Sequence, residues 1–223
     1  MKLARPDVFH PRIVLAGSAD VAGGTDDDAG LVGALRRRGL HARWLGWDDP
    51  ETASADLVIL RATADDPHRR DEFLAWTRAT RHLLNPPGAV AWNLDEWYLR
   101  DLEDDGVPTM RDRPPGRSVA TLIFLGGNRS HAWPVEPEFE SWDVGHAALA
   151  AAAGRSGVGS ADLLYARADV AGDRLVSLDV VAPALGWRRL DAGARELAER
   201  RFVLAVESAC ERLGLGPLSH GRP

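Results

Sequence analysis

The chain has 223 residues, 45% hydrophobic and 27% charged, with 27 basic against 33 acidic side chains and a formal charge of −6. That length buries a real core in one large domain or two small ones, and the negative balance disfavours a broad electrostatic grip on nucleic acid or an anionic membrane. Lys2 is the sole lysine and Cys210 the sole cysteine, which excludes an internal Schiff-base or phosphate-loop lysine, intrachain disulfides, CxxC redox chemistry and cysteine-rich zinc sites. No apolar run approaches the ~20 residues of a membrane span, and residues 1–10 lack the charged-then-apolar progression of a secretion signal, so the expected location is cytoplasmic.

Residues 12–17 (RIVLAG) read as a short strand followed by a Gly- and Asp-rich loop. Asp26 to Asp28 are placed to cap a helix over 29–38, with an arginine triplet in its last turn and Gly39 as the stop. Residues 41–46 (HARWLG) and 56–61 (DLVILR) have the length of strands, and 70–82 reads as a helix with Phe73, Leu74, Trp76 and Thr77 on one side. This order predicts an open, mostly parallel sheet with helices on its faces. After the break at Asn85-Pro-Pro-Gly88, residues 89–105 resume as one helix ended by Gly106. The stretch 107–117, rich in proline and arginine, predicts a linker between a first domain at 1–106 and a second at 118–218.

The second half reads as antiparallel α+β. Residues 119–125 and 130–133 flank Gly126-Gly127 as a hairpin, 142–153 is an alanine-rich helix, and 163–170 and 175–181 form another hairpin around Gly172. The period of two puts Tyr165, Arg167 and Asp169 on one face of the first strand and Ser177 and Asp179 on one face of its partner, a polar cluster opposite Val176, Leu178 and Val180. A closing helix over 193–213 carries an apolar stripe that includes Phe202, Val206 and Cys210.

Trp47-Asp-Asp-Pro50, Leu60-Arg-Ala-Thr63, Asn85-Pro-Pro87 and Trp92-Asn-Leu-Asp95 resemble the amino-terminal region of ATP-grasp carboxylate–amine ligases, in the bacterial group similar to cycloserine-forming cycloligases. In the second half, 122–133 (LIFLGGNRSHAW), 163–169 (LLYARAD), 175–183 (LVSLDVVAP) and 192–198 (AGARELA) resemble the last ATP-grasp subdomain. The resemblance implies three parts, with ATP held by lysines of the central part and by magnesium on carboxylates of the last. Here Gly106-Val-Pro-Thr109 runs almost directly into the last part, so a segment of domain size, ~50–100 residues, is expected to be absent, in agreement with the missing lysines. The resemblance assigns magnesium-binding acids to Asp169 and Asp179, with Ser177 where a glutamate is expected and Ala182 where another acid often follows. Glu96 likewise stands where a lysine is usual.

Each candidate has a plainer reading beside the chemical one. Arg61 ends a strand, where open α/β sheets collect ligand contacts; with Thr63, Asp65 and His68 it could bind a small acid, or belong to a solvated loop before the helix at Arg70. Asp169 and Asp179 could hold a metal weakly, while an Arg167–Asp169 network is the favoured structural reading. His131 reads first as a packed, hydrogen-bonded histidine; were it to converge with Arg167, Asp169 and Asp179, the four would supply a base, an anion clamp and two acids. Gly126-Gly127 lacks the strand-to-helix context of a phosphate loop. Trp133, Trp142 and Trp187 lie nearest the expected cleft and could instead cover apolar surface.

The resulting expectation is a remodelled ATP-grasp relative without autonomous ATP-dependent ligation, binding a small molecule or a pathway protein, with ATP not expected and magnesium at most weak. Arg61, Thr63, Asp65, Arg167 and Ser177 would contact the ligand. One alternative is an ATP-independent enzyme using His131, Asp169 and Asp179 for cyclisation, hydrolysis or isomerisation of an amino-acid-like substrate; another is a ligase completed by a second chain. The surface bared by a missing subdomain predicts a homodimer or a partner there.

Overall fold

The computed structural model describes residues 10–18, 23–61, 67–110, 118–134 and 136–216. The first half forms a four-stranded parallel sheet in the order β2-β1-β3-β4, from β1 (Arg12–Gly17), β2 (His41–Gly46), β3 (Leu57–Leu60) and the two-residue β4 (Leu83–Leu84). Its central strands are buried on both faces, as a parallel sheet flanked by helices requires. The flanking helices are α1 (Leu31–Arg37), α2 (Arg70–Ala79), α3 (Pro87–Asn93) and α4 (Tyr98–Asp104).

Two local expectations are corrected. The aspartate triplet does not cap a helix starting at 29. Asp26–Asp28 is itself a 3-10 turn, and α1 begins after Gly30, whose φ of +99° bends the chain. Asp26 and Asp27 accept from Arg188 and Gly186, while Asp28 divides its oxygens between the local Thr25 and the distant Arg61. The single helix expected over 89–105 is two helices, because Asp95 Oδ1 accepts the Trp97 amide and closes a side-chain turn between them.

The second sheet is antiparallel with order β6-β5-β7-β8, from β5 (Ala120–Leu125), β6 (Asn128–Trp133), β7 (Tyr165–Ala171) and β8 (Arg174–Asp179). One face, carrying Leu122, Phe124, Ala166, Ala168 and Leu178, packs on α5 (Phe139–Arg155). On the other face Ile123, Leu125 and Tyr165 pack beneath α6 (Ala192–Arg212) in a cluster that also contains Ile13, Leu15 and Ile59 of the first sheet. Both halves therefore share one apolar layer. Of the stretch expected as a linker, Pro108 and Met110 exchange backbone hydrogen bonds with Leu175 on β8; residues 111–117 lie outside the described residues.

Two asparagines fasten the halves together. Asn85, fully buried, donates to the carbonyls of Tyr165 (2.8 Å) and Val180 (2.7 Å) and accepts from the Leu164 amide (2.6 Å). Asn93 donates to the Leu178 carbonyl (2.9 Å) and accepts from the Val180 amide (2.8 Å). Their amides serve backbone groups at the start of β7 and the end of β8 that would otherwise be left unpaired.

Candidate functional site

Strand register aligns the candidate side chains in two neighbouring rows across the second sheet. Trp133, Thr121, Asp169 and Ser177 pair in sequence from β6 to β8, and His131, Ile123, Arg167 and Asp179 form the adjacent row. Cross-strand partners share a face, so the polar cluster expected from the period of two is present. It occupies the end of the face beyond α6, where Arg167, Asp169, Ser177 and Asp179 are all half-buried.

The centre of this cluster is Asp169. Its Oδ1 accepts from the Thr121 hydroxyl (2.7 Å) and Arg167 Nε (3.1 Å), and its Oδ2 accepts from Arg167 Nη2 (2.9 Å) and the Ser177 hydroxyl (3.1 Å). An ionised carboxylate has about four acceptor positions, and four donors fill them. Asp179 Oδ1 accepts the amides of Val181 (2.8 Å) and Ala182 (3.3 Å), closing the turn that leaves β8.

Magnesium, which the family resemblance implies at these two acids, does not fit this donor set. A hard divalent cation takes carboxylate oxygens with free lone pairs in near-octahedral order. Here the Asp169 oxygens are spent on four protein donors, and one of those is a permanent cation at ion-pair distance. Ser177 stands where the expected third acid would be and donates to Asp169 instead. Among the described residues no group of three or more His, Cys, Asp or Glu side chains is arranged to hold a metal.

His131 on β6 lies two strands from Arg167 and three from Asp179 in its row, and it is held separately. Its Nε2 donates to the Leu185 carbonyl (2.7 Å), which leaves Nδ1 to accept from the Ser130 hydroxyl (2.9 Å) in the neutral ring. Burial is the main cause that holds its pKa below the ordinary histidine range. The ring stacks on Trp133 at 5.9 Å between centroids, and Trp133 in turn lies 5.9 Å from the Arg167 guanidinium and 6.0 Å from that of Arg189. Gly186 passes beneath Trp133 so closely that a Cβ there would lie 2.3 Å from the ring. Trp142 and Trp187, by contrast, are core residues.

Arg61 does not join the cluster or face solvent. It is buried at the end of β3, where Nη2 lies 2.7 Å from Asp28 Oδ1 and donates to the Pro183 carbonyl at 2.9 Å. Its guanidinium also stands 5.2 Å over the Tyr165 ring. Burial alone would lower the arginine's pKa, but Asp28 and Tyr165 outweigh it and hold the charge. The reading of Arg61 as an open ligand contact is thus replaced by a buried ion pair. Thr63 and Asp65 lie outside the described residues. The partners that sequence reasoning missed are Thr121 and Asp28. Thr121 could have been found by pairing β5 with β7, while nothing local marks Asp28.

Residues 13–85 match the family model described as D-cycloserine synthetase DcsG, N-terminal domain. The chain is 33% identical over 85 residues to the cycloserine biosynthesis protein DcsG of Streptomyces lavendulae, a stretch covering 36% of this chain and 28% of that protein. In structure it is similar to D-cycloserine synthetase DcsG, with a TM-score of 0.73 at 20% identity over 91% of this chain and 99% of that one. It is also similar to the ATP-grasp ligase PsnB complexed with minimal precursor (TM-score 0.57, 14% identity, 88% and 99% covered). The macrocyclase MdnC of Microcystis aeruginosa MRC, bound with precursor peptide MdnA, gives a TM-score of 0.57 at 10% identity, with 89% and 99% covered.

Proposed function

For an ATP-grasp-like chain whose residues 13–85 carry the amino-terminal domain of the D-cycloserine synthetase family, we propose a remodelled relative that does not run ATP-dependent ligation by itself. It serves instead as a module that binds a small molecule or a partner protein in a biosynthetic setting. The observation that carries this reading is the saturated Asp169: its oxygens accept from Thr121, Arg167 and Ser177, so the acid that would present magnesium and a nucleotide phosphate serves an internal network. The short passage from α4, ending at Asp104, to β5, starting at Ala120, supports the same reading.

Any ligand on this face meets a planar Arg167 fixed by Asp169, the Trp133 ring, and the exposed guanidinium of Arg189. Such a surface suits an anionic or aromatic group more than a cation. His131, tied to Leu185 and Ser130, acts as a wall of Trp133 and not as a proton carrier. Calorimetry with ATP and magnesium tests the proposal. The expected result is no tight magnesium-dependent binding; tight binding, or ATPase activity from the chain alone, overturns it.

A further inference from the structure

At the other end of the second sheet, the turn between β5 and β6 packs against α6 and leaves a surface cavity of about 430 Å³. Its lining holds Arg129, Arg201 and Arg212 and no acidic side chain, in a protein whose formal charge is −6. The contrast comes from how α6 sorts its charges. Arg201, Ala205, Ser208 and Arg212 recur at helical spacing along the stripe facing the turn. Glu199 and Glu207 lie on another side and pair with Arg37 and Arg38 of α1.

The three arginines are held to different degrees. Arg212 is fixed by Asp162 (3.0 Å), the Ala161 carbonyl (2.7 Å) and the Ser208 hydroxyl (2.8 Å). Arg129 has one long contact to Asp143 (3.3 Å) and lies between the rings of Phe139 and Trp142. Arg201 donates to the Ser130 carbonyl and, among the described residues, has no ion pair. Its guanidinium therefore keeps donors and a full charge for a ligand. The floor is apolar, with Ala205 and the 45%-exposed Leu204.

We infer that this cavity binds a small anionic molecule. Its carboxylate or phosphate is received by Arg201, flanked by Arg129 and Arg212, and its short apolar portion covers Leu204. Guanidinium groups recognise both anions through paired N–H donors. Gly126 lets the turn approach α6 closely, since a Cβ there would lie 3.1 Å from that of Ala205.

The test uses the full chain, titrated with inorganic phosphate and separately with hexanoate, and reads the amide resonances of Gly126, Gly127 and Ser208. A saturable shift with either probe supports the site and identifies the preferred anion. Arg201→Gln should weaken binding at least tenfold with an unchanged melting temperature. Asn128→Asp, which places a carboxylate in the lining, should weaken it as well, and Arg43→Gln on β2 should leave it unchanged. Shifts that spread over all arginines without saturating, or equal affinity in Arg201→Gln, overturn the inference.

Discussion

Arg61 and Asp28 form an ion pair at 2.7 Å in which each side chain is 2% exposed. Removing one partner strands the other charge where water cannot reach it, whereas replacing both by apolar groups removes the demand altogether. Asp28→Ala is expected to cost about 3–5 kcal/mol. The pair Arg61→Met with Asp28→Leu should cost less than Asp28→Ala alone. Urea denaturation of the three proteins checks both, and an Asp28→Ala variant within error of the parent contradicts the assignment.

Asp169 is expected to behave as a structural carboxylate. Asp169→Asn keeps some of its hydrogen bonds but loses the ion pair to a guanidinium that is 32% exposed, so the loss should be modest, about 1 kcal/mol. Millimolar magnesium should not raise the melting temperature of the parent. A magnesium-dependent rise that disappears in Asp169→Asn would restore a metal role.

The half-buried neutral ring of His131 makes stability depend on pH in a definite direction. Its folded pKa lies below the ordinary value, so the unfolded chain takes up the proton first as pH falls below about 6.5. The contribution is complete above that pH and is lost on descent towards the folded pKa. His146, lowered mainly by burial and also by Arg129, adds in the same direction. Urea midpoints at pH 7, 6 and 5 should fall steadily, and His131→Gln should flatten the dependence; an unchanged slope would refute it.

Gly186→Ala probes how the chain approaches Trp133. The new methyl would meet the ring at 2.3 Å, and the backbone has φ of +70°. The combined overpacking and left-handed strain should destabilise by about 2–4 kcal/mol. Altered tryptophan emission should accompany the lower melting temperature, because the ring must move.

Asn85→Ala removes three hydrogen bonds between the halves. Buried amide and carbonyl groups left unpaired cost roughly 1–3 kcal/mol each, so the variant should be among the least stable single substitutions. Hydrogen exchange should rise first at Leu164, whose amide loses its acceptor. Protection equal to the parent would show that other groups carry the junction.

The order of elements was legible in the sequence because apolar runs and their periods are local properties. So was the polar face of β7 and β8, since alternation assigns Arg167, Asp169, Ser177 and Asp179 to one side whatever surrounds them. The motif asparagines at 85 and 93 were visible as resemblance, but their work on β8 was not, since their partners lie about 80 residues away. Arg61 looked like a ligand contact because it ends a strand and Thr63, Asp65 and His68 follow it. Only the packing of Asp28, Tyr165 and Pro183 around it decided that it is buried. The same holds for Asp169: its residue type allowed a metal or an arginine, and the choice depended on which donors the sheet register set beside its oxygens. Sequence by itself determined which side chains could share a surface. Tertiary structure decided which of them remain free, because a hydrogen-bonding group is committed by the partner that long-range pairing places within about 3 Å of it.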